Sequence, residues 1–242
     1  MDWMSKMISV KYNNWDKWYE RILDDFGYDM KADEISAQLL DSLIHQKTTV
    51  DVHGVDKCII FGAGPSIKKH ISSIKTMLDE DNYIIIAADG ATTALVEEGI
   101  IPDIIVTDLD GKMDDIIYSN RNKSTLYVHA HGDNMDKIRK YVPQLERVVA
   151  TTQTNPIGHV VNYGGFTDGD RAIHIAVYAL KMKKIILAGM DFGEYTTRYS
   201  RPNNEEMIEK ADDIKRLKLD YARRITDDLI KNNPQIEFEI LK

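Results

Sequence analysis

One cysteine stands among 242 residues, Cys58 inside "KCIIF", so neither an intrachain disulfide nor a multi-cysteine metal site is available. Its apolar neighbours mark it as a small core residue. Positive charge is in deficit: 31 Lys and Arg against 39 Asp and Glu leave a formal charge of −8. That balance argues against a generic nucleic-acid binder, because phosphate-backbone binding shows as a basic surface. A small phosphorylated ligand stays compatible with it if Mg²⁺ and a few local Lys or Arg neutralise the phosphates. No run approaches the roughly 20 apolar residues of a membrane span. The opening "MDWMSKMISVKYNNWDKW" lacks the basic-then-apolar order of a secretory signal. A cytoplasmic protein with no membrane contact is the expectation. Internal repeats and low-complexity tracts are missing as well.

What is present is ordinary for a folded domain: 43% hydrophobic and 29% charged residues, unlike a disordered chain. The length suits one sizeable core, hence a single α/β domain with an extra segment. In residues 1–50, Trp3, Met4, Trp15, Trp18, Tyr19, Ile22 and Leu23, then Ile35, Leu39, Leu40, Leu43 and Ile44, recur at spacings of three and four. This predicts an N-terminal helical segment, joined through "HQKTTVDVHG" to an α/β nucleotide-binding catalytic domain over 51–242.

In that second part "KCIIF", "YIIIAAD", "DIIVTD", "TLYVHA", "ERVVATT" and "KKIILAG" are short runs rich in β-branched residues. Helical patterns separate most of them, most clearly "PSIKKHISSIKTML", "ATTALVEEG", "DNMDKIRKYV" and "DGDRAIHIAVYALK". Apolar runs with little alternation are expected of strands covered on both faces by crossover helices. The fold class is therefore α/β, a doubly wound, mostly parallel sheet. "NNEEMIEKADDIKRLKLDYARRITDDLIKNN" reads as one long amphipathic helix, and "QIEFEIL" as an added edge strand.

Ligands of such sheets bind outside the carboxyl ends of the strands. "IIFGAGPS" places Gly62, Gly64, Pro65 and Ser66 there, where bare backbone N–H groups can approach a phosphate, but Ile67 occupies the third glycine position of a dinucleotide fingerprint. An ordinary tight turn fits equally. Asp89 and Gly90 end the next strand, Asp89 as a ligand or as a helix cap. "PDIIVTDLDG" then delivers Asp108 and Asp110, whose i, i+2 spacing puts both carboxylates on one side if the extended conformation persists. Two such charges repel, and burying them unpaired costs several kcal/mol, so a cation is the natural partner. With oxygen donors alone, Mg²⁺ suits the pair better than Zn²⁺.

The fourth strand ends in "YVHAHGDN". His129 and His131 alternate as a metal pair would, yet no Cys or His-rich motif accompanies them. Hydrogen bonding to a phosphate or base by His131, Gly132, Asp133 and Asn134 is the better reading, with Asp133 equally able to cap a helix. In "NYGGFTDGDRAIHIAVYAL", paired glycines lead through Thr167, Asp168, Gly169, Asp170 and Arg171 into an apolar helix. This can be a flexible loop closing on an anion at the helix N-terminus, with Arg171 as a phosphate fork or merely a solvated side chain. His174 reads as packed. Asp191, with Arg198 and Arg201 after it, completes the pocket or faces water.

The ordered set "GAGPS", "ADGA", "PDIIVTDLDG", "HAHGDN", "TQTNP", "NYGGFTDGDRA" and "LAGMDFG" resembles the archaeal 6-hydroxymethyl-7,8-dihydropterin diphosphokinase family, which is built like the catalytic domain of thiamine pyrophosphokinase. The likeness spans about residues 55–195. Thiamine pyrophosphokinases carry a glycine before the first aspartate of the doublet and a serine after the second; Thr107 and Gly111 stand here, which favours the pterin branch. The resemblance implies transfer of a diphosphoryl group from ATP to the hydroxymethyl oxygen of a reduced pterin, releasing AMP, on the way to methanopterin or folate-type carriers.

It further implies that Asp89, Asp108 and Asp110 hold Mg²⁺ and that Arg171 sits on the transferring group. Gly62, Gly64, Pro65, Ser66, Asp89, Gly90, Gly132, Asp133, Asn134, Thr167 and Asp168 would face the nucleotide, with His131 or Asp133 the general-base candidates. From pterin chemistry, Asp168, Asp170 or Asp191 could accept the paired donors of the amino-pyrimidine edge. A homodimer is expected from related folds, with the N-terminal helices over its interface or over the pocket mouth. "GAGPSI" and "GIIPDIIVTDLD" also resemble motility-associated, sialyltransferase-like glycosyltransferases, which would seat a nucleotide-sugar. A module that binds a nucleotide without turning it over is the third reading.

Overall fold

The computed structural model describes residues 12–44, 48, 50, 52, 54–80 and 82–242. Trp3 and Met4 of the helical pattern, and much of the expected link, lie outside them.

Each of the six apolar runs becomes a strand: β1 Lys57–Phe61, β2 Ile84–Ala88, β3 Ile104–Thr107, β4 Thr125–Ala130, β5 Val148–Thr152 and β6 Lys184–Ala188. The short β7 Tyr195–Thr197 and β8 Ile208–Lys210 pair with each other antiparallel. The expected edge strand forms as β9 Glu237–Ile240, parallel to β6. The main sheet has seven strands in the order β5-β4-β3-β2-β1-β6-β9, parallel throughout. β1 leads leftward into β2, whereas β6 lies on its right. The order therefore reverses between β1 and β6 and opens a crevice at their carboxyl ends.

Both faces of the sheet are covered, which explains why the strands are apolar without alternation. Along β1, Ile59 and Phe61 face one helical layer while Cys58 and Ile60 face the other. The first layer comprises α2 Met30–Leu43, α3 Ile67–Glu80, α4 Ala91–Val96, α5 Met113–Arg121 and α6 Met135–Tyr141, which bury Leu40, Ile71, Leu95, Ile116 and Ile138. The second holds α7 Asp168–Tyr178 and α8 Asp213–Asn232, with Ile173, Ala176 and Leu229. Burying one such isoleucine or leucine fully contributes about 1.5–3 kcal/mol. The first helix, α1 Trp15–Phe26, packs Trp15, Tyr19 and Ile22 against Phe166, Tyr221 and Ile225. It ends at Gly27, whose φ of 66° a glycine adopts without strain.

One expectation is corrected. The segment read as a single long helix is a strand followed by a shorter helix, because the Asp212 side chain accepts from the Lys215 backbone N–H (2.7 Å) and starts α8 there. No described helix is long and apolar enough to cross a membrane.

Candidate active site

Four aspartates converge at the carboxyl ends of β2 and β3 and the start of α7. Asp89, Asp108, Asp110 and Asp168 each present an oxygen, all within 4.8 Å of one another. The doublet reaches this arrangement differently from the expected pleat. β3 ends at Thr107, and Leu109 takes a left-handed φ of 67°, so a turn rather than an extended strand brings Asp108 and Asp110 round. That conformation costs a non-glycine residue about 1–2 kcal/mol, a cost typical of a functional turn. Thr107 fixes it by accepting from the Leu109 N–H (2.8 Å) and donating to Asp89 Oδ1 (2.5 Å). Gly111 completes the site by absence, since a Cβ there would lie 2.5 Å from Asp89 Oδ2. The two departures from the thiamine pattern thus both shape the seat of Asp89.

The electrostatics match a cation site. Burial, then the charges of Asp168, Asp110 and Asp108, pushes the Asp89 carboxyl well above its usual range. Asp168 is raised by burial and the Asp108 charge against the pull of Arg171, and Asp110 by desolvation and Asp108. Asp108 alone goes down: burial opposes its ionisation, but the hydrogen bond from His131, with the Arg171 guanidinium, overcomes it. Its Oδ1 is buried without a hydrogen-bond partner among the described residues. An orphaned carboxylate oxygen within an all-oxygen donor set fits Mg²⁺.

His131 supports this cluster. Its Nδ1 accepts from the Asp133 N–H (3.2 Å), which leaves the proton on Nε2 to donate to Asp108 Oδ2 (3.3 Å). Both nitrogens are engaged in this arrangement, which seats the imidazole against Asp108. Asn134 is structural too, donating to the Asp108 and His129 carbonyls (2.9 and 2.7 Å) from a buried position. His129 is buried on Thr151 (3.1 Å), with its pKa lowered by burial, and neither it nor His131 belongs to the cluster of possible metal ligands found among the described residues. His174 is packed as expected, its Nδ1 against the Tyr163 carbonyl (2.9 Å).

The glycine loop does not offer the free amides expected of it. Gly62 N–H donates to the Ala188 carbonyl (2.8 Å), Gly64 N–H to Gly189 (2.9 Å), and Ser66 N–H to Asp191 Oδ2 (3.1 Å). A Cβ on Gly62 or Gly64 would stand 2.7 or 2.6 Å from the Gly189 oxygen. These glycines permit β1 and β6 loops to touch across the crevice. Gly90 likewise lies against the Tyr199 carbonyl. Pro65, Ser66, Asn134 and Asp170 do not line the cleft, whereas Gly62, Gly64, Gly90, Gly132, Asp133, Thr167 and Asp191 do.

At the start of α7, Asp170 is fully buried and accepts from the N–H groups of Phe166 and Thr167 (2.6 and 2.7 Å) as a helix cap, so it is not free to read a pterin. Gly164 and Gly165 hold φ values of 85° and 92° and let the loop pack onto α7, with no room for a Cβ beside Arg171. That loop is packed rather than loose. Arg171, 5% exposed, donates to Asp168 Oδ1 (3.1 Å) and Gln153 Oε1 (3.3 Å), which excludes a solvated side chain. Arg201 pairs with Asp212 (2.6 Å) and Arg198 with loop carbonyls, so neither lines the cleft.

The cleft, about 420 Å³, also holds groups with no motif of their own. Asp33 of α2 accepts from Tyr19 Oη (2.6 Å), Gly132 N–H (2.7 Å) and Gln153 Nε2 (2.7 Å). Gln153 sits within "TQTNP", but nothing in its spacing signalled this bridge. Tyr28, Phe166, Lys215 and Lys218 complete the wall. Only the helical period of α8, which puts the two lysines on one face, could have suggested them.

A doubly wound sheet with carboxylates gathered in its crevice is the framework of an α/β enzyme. The chain belongs to the 6-hydroxymethylpterin diphosphokinase MptE-like family, whose model matches residues 31–197, and is an enzyme of the diphosphokinase class. It is 50% identical over 222 residues to the 6-hydroxymethyl-7,8-dihydropterin pyrophosphokinase of Methanothermobacter thermautotrophicus, covering 90% of this chain and 94% of that one. The protein of the same name from Methanocaldococcus jannaschii is 48% identical over 237 residues (93% and 97% covered), and that from Pyrococcus furiosus 39% over 240 (96% and 100%). Among solved structures, the MAf glycosyltransferase from Magnetospirillum magneticum AMB-1 aligns with TM-score 0.51 at 17% identity, over 89% of this chain and 38% of its own. That likeness is one of fold.

Proposed function

We propose that this protein transfers diphosphate from ATP to the hydroxymethyl oxygen of 6-hydroxymethyl-7,8-dihydropterin in a Mg²⁺-dependent reaction that releases AMP. One observation supports this above all: the four-aspartate cluster with its orphaned Asp108 oxygen at the strand tips. Asp89, Asp108, Asp110 and Asp168 would hold the ion, which when bound neutralises charge on the polyphosphate. The hydroxymethyl oxygen forms a bond to the β-phosphorus. The bond from that phosphorus to the oxygen it shares with the α-phosphorus breaks, its electron pair leaves with AMP, and the hydroxyl proton passes to water. Arg171, fixed by Asp168 and Gln153, places positive charge beside the transferring group. His131 orients Asp108. Phosphoryl-type transfer of this kind depends mainly on positioning and charge, and Asp133, which also lines the cleft, is the remaining general-base candidate.

The methanopterin or folate-type pathway, a cytoplasmic location and a homodimer of 27.7 kDa chains belong to the same proposal, the last checked by light scattering. The activity is tested by chromatography of nucleotides after incubation with ATP, Mg²⁺ and the pterin. AMP that requires both pterin and metal, without ADP, is expected. Folded protein that yields no AMP would refute the assignment and direct testing to thiamine and nucleotide-sugars.

A further inference from the structure

The carboxylate cluster accounts for a cation but not for the anion that must lie against it. A polyphosphate brings several negative charges into a cleft that already holds four aspartates, and one divalent ion cannot balance both. Positive side chains must face the same space.

Among the described residues, three Lys or Arg side chains line the cleft: Arg171, Lys215 and Lys218. Arg171 is engaged with Asp168. Lys215 and Lys218 have no carboxylate partner within ion-pair distance among the described residues. Lys218 lies over the rings of Tyr28 and Phe166 (5.6 and 5.9 Å), which aims its ammonium without neutralising it. Their placement is locally unfavourable. Lys215 is the third residue of α8, at the positive end of the helix dipole, and it feels the like charges of Arg201 and Lys218. A chain with an excess of acidic residues has nevertheless gathered cations there, facing Asp110 and Asp168. Such a violation of local electrostatic preference is expected where a ligand supplies the compensation. Burial and these neighbouring cations also lower the Lys215 pKa, as they would at a site awaiting an anion.

We propose that Lys215 and Lys218, one helical turn apart on α8, form the cationic wall that grips the polyphosphate of the nucleotide across the cleft from the carboxylate cluster. This rests on the diphosphokinase assignment and assigns a role to a helix beyond the residues matched by the family model, which end at 197.

The test is calorimetric binding of MgATP to wild type and to Lys215→Met, Lys218→Met and Lys215→Arg, together with KM values for ATP and pterin. Circular dichroism verifies the fold of each variant. Each methionine variant is expected to raise the Kd and KM for ATP at least tenfold and to leave the pterin KM within twofold, while Lys215→Arg retains most of the affinity. ATP binding unchanged in both methionine variants overturns the inference, as does a rise confined to the pterin KM. Failure of the diphosphokinase assignment is separately visible, because wild type would then form no AMP whatever the lysine variants do to MgATP binding.

Discussion

Gly111 and Thr107 decide where the Asp89 carboxylate can sit, one by leaving space and the other by a hydrogen bond. Gly111→Ala should therefore displace Asp89 and weaken Mg²⁺ affinity about tenfold, a shift comparable to loss of a ligand's supporting partner. The metal concentration giving half-maximal AMP formation measures it, with the melting curve confirming the fold. Asp108→Asn should lower turnover at least about 100-fold, the scale seen when one charge-stabilising group is removed from an active site. Asp108 and Asp110 were legible in the sequence because two carboxylates after an apolar run have few bland explanations. Asp168 was legible as a site residue but not as part of the aspartate cluster, since its convergence depends on how α7 approaches β2 and β3. The glycine loop misled for the opposite reason: close packing of two loops and an open phosphate cradle both call for glycine, and the difference lies in which N–H groups are already bonded.

At the scale of elements, the strands and most helices followed from periodicity, whereas β7 and β8, three residues each, are too short to show one. The long helix was misread because charged residues ahead of Asp212 continue the polar pattern of α8. The N-terminal helices were legible as helices, and the pocket mouth was one of the two places expected for them, but the hydrogen bonds they make at the cleft carried no sequence signal. Their contribution is the chain from Tyr19 through Asp33 and Gln153 to Arg171, which crosses between elements far apart in sequence. Asp33→Asn presents an amide where three donors converge. We expect a loss of about 1–3 kcal/mol in stability and up to about 100-fold in kcat through misplacement of Arg171. A KM for ATP that rises without any fall in kcat would argue against that coupling.

For the whole molecule, the clustered carboxylates set stability against function. Asp89, Asp110 and Asp168 have raised pKa values, so each contributes stability that is fully present below the ordinary carboxylate pKa and is lost as pH rises through the raised one. Asp108, held low, contributes in the opposite sense, its part being lost only in strong acid. His129 and His174, lowered by burial, cost stability as pH falls below the ordinary histidine pKa of about 6.5, the loss for His174 levelling off near pH 4, but they do so equally in a variant that differs only at Asp89. Metal-free Asp89→Asn should accordingly be more stable than wild type by about 1–3 kcal/mol near neutrality, with the difference larger at about pH 8 than at about pH 5.5. Added Mg²⁺ should raise the melting temperature of wild type and scarcely that of the variant.

Phosphorus-31 NMR of a single reaction containing protein, MgATP and 6-hydroxymethyl-7,8-dihydropterin tests the central claim most directly. The account predicts that the ATP signals give way to AMP and to a two-phosphorus ester coupled to the pterin methylene, in equal amounts and only with Mg²⁺ present. Appearance of ADP or inorganic phosphate in place of that ester, or ATP unchanged beside folded protein, would contradict it.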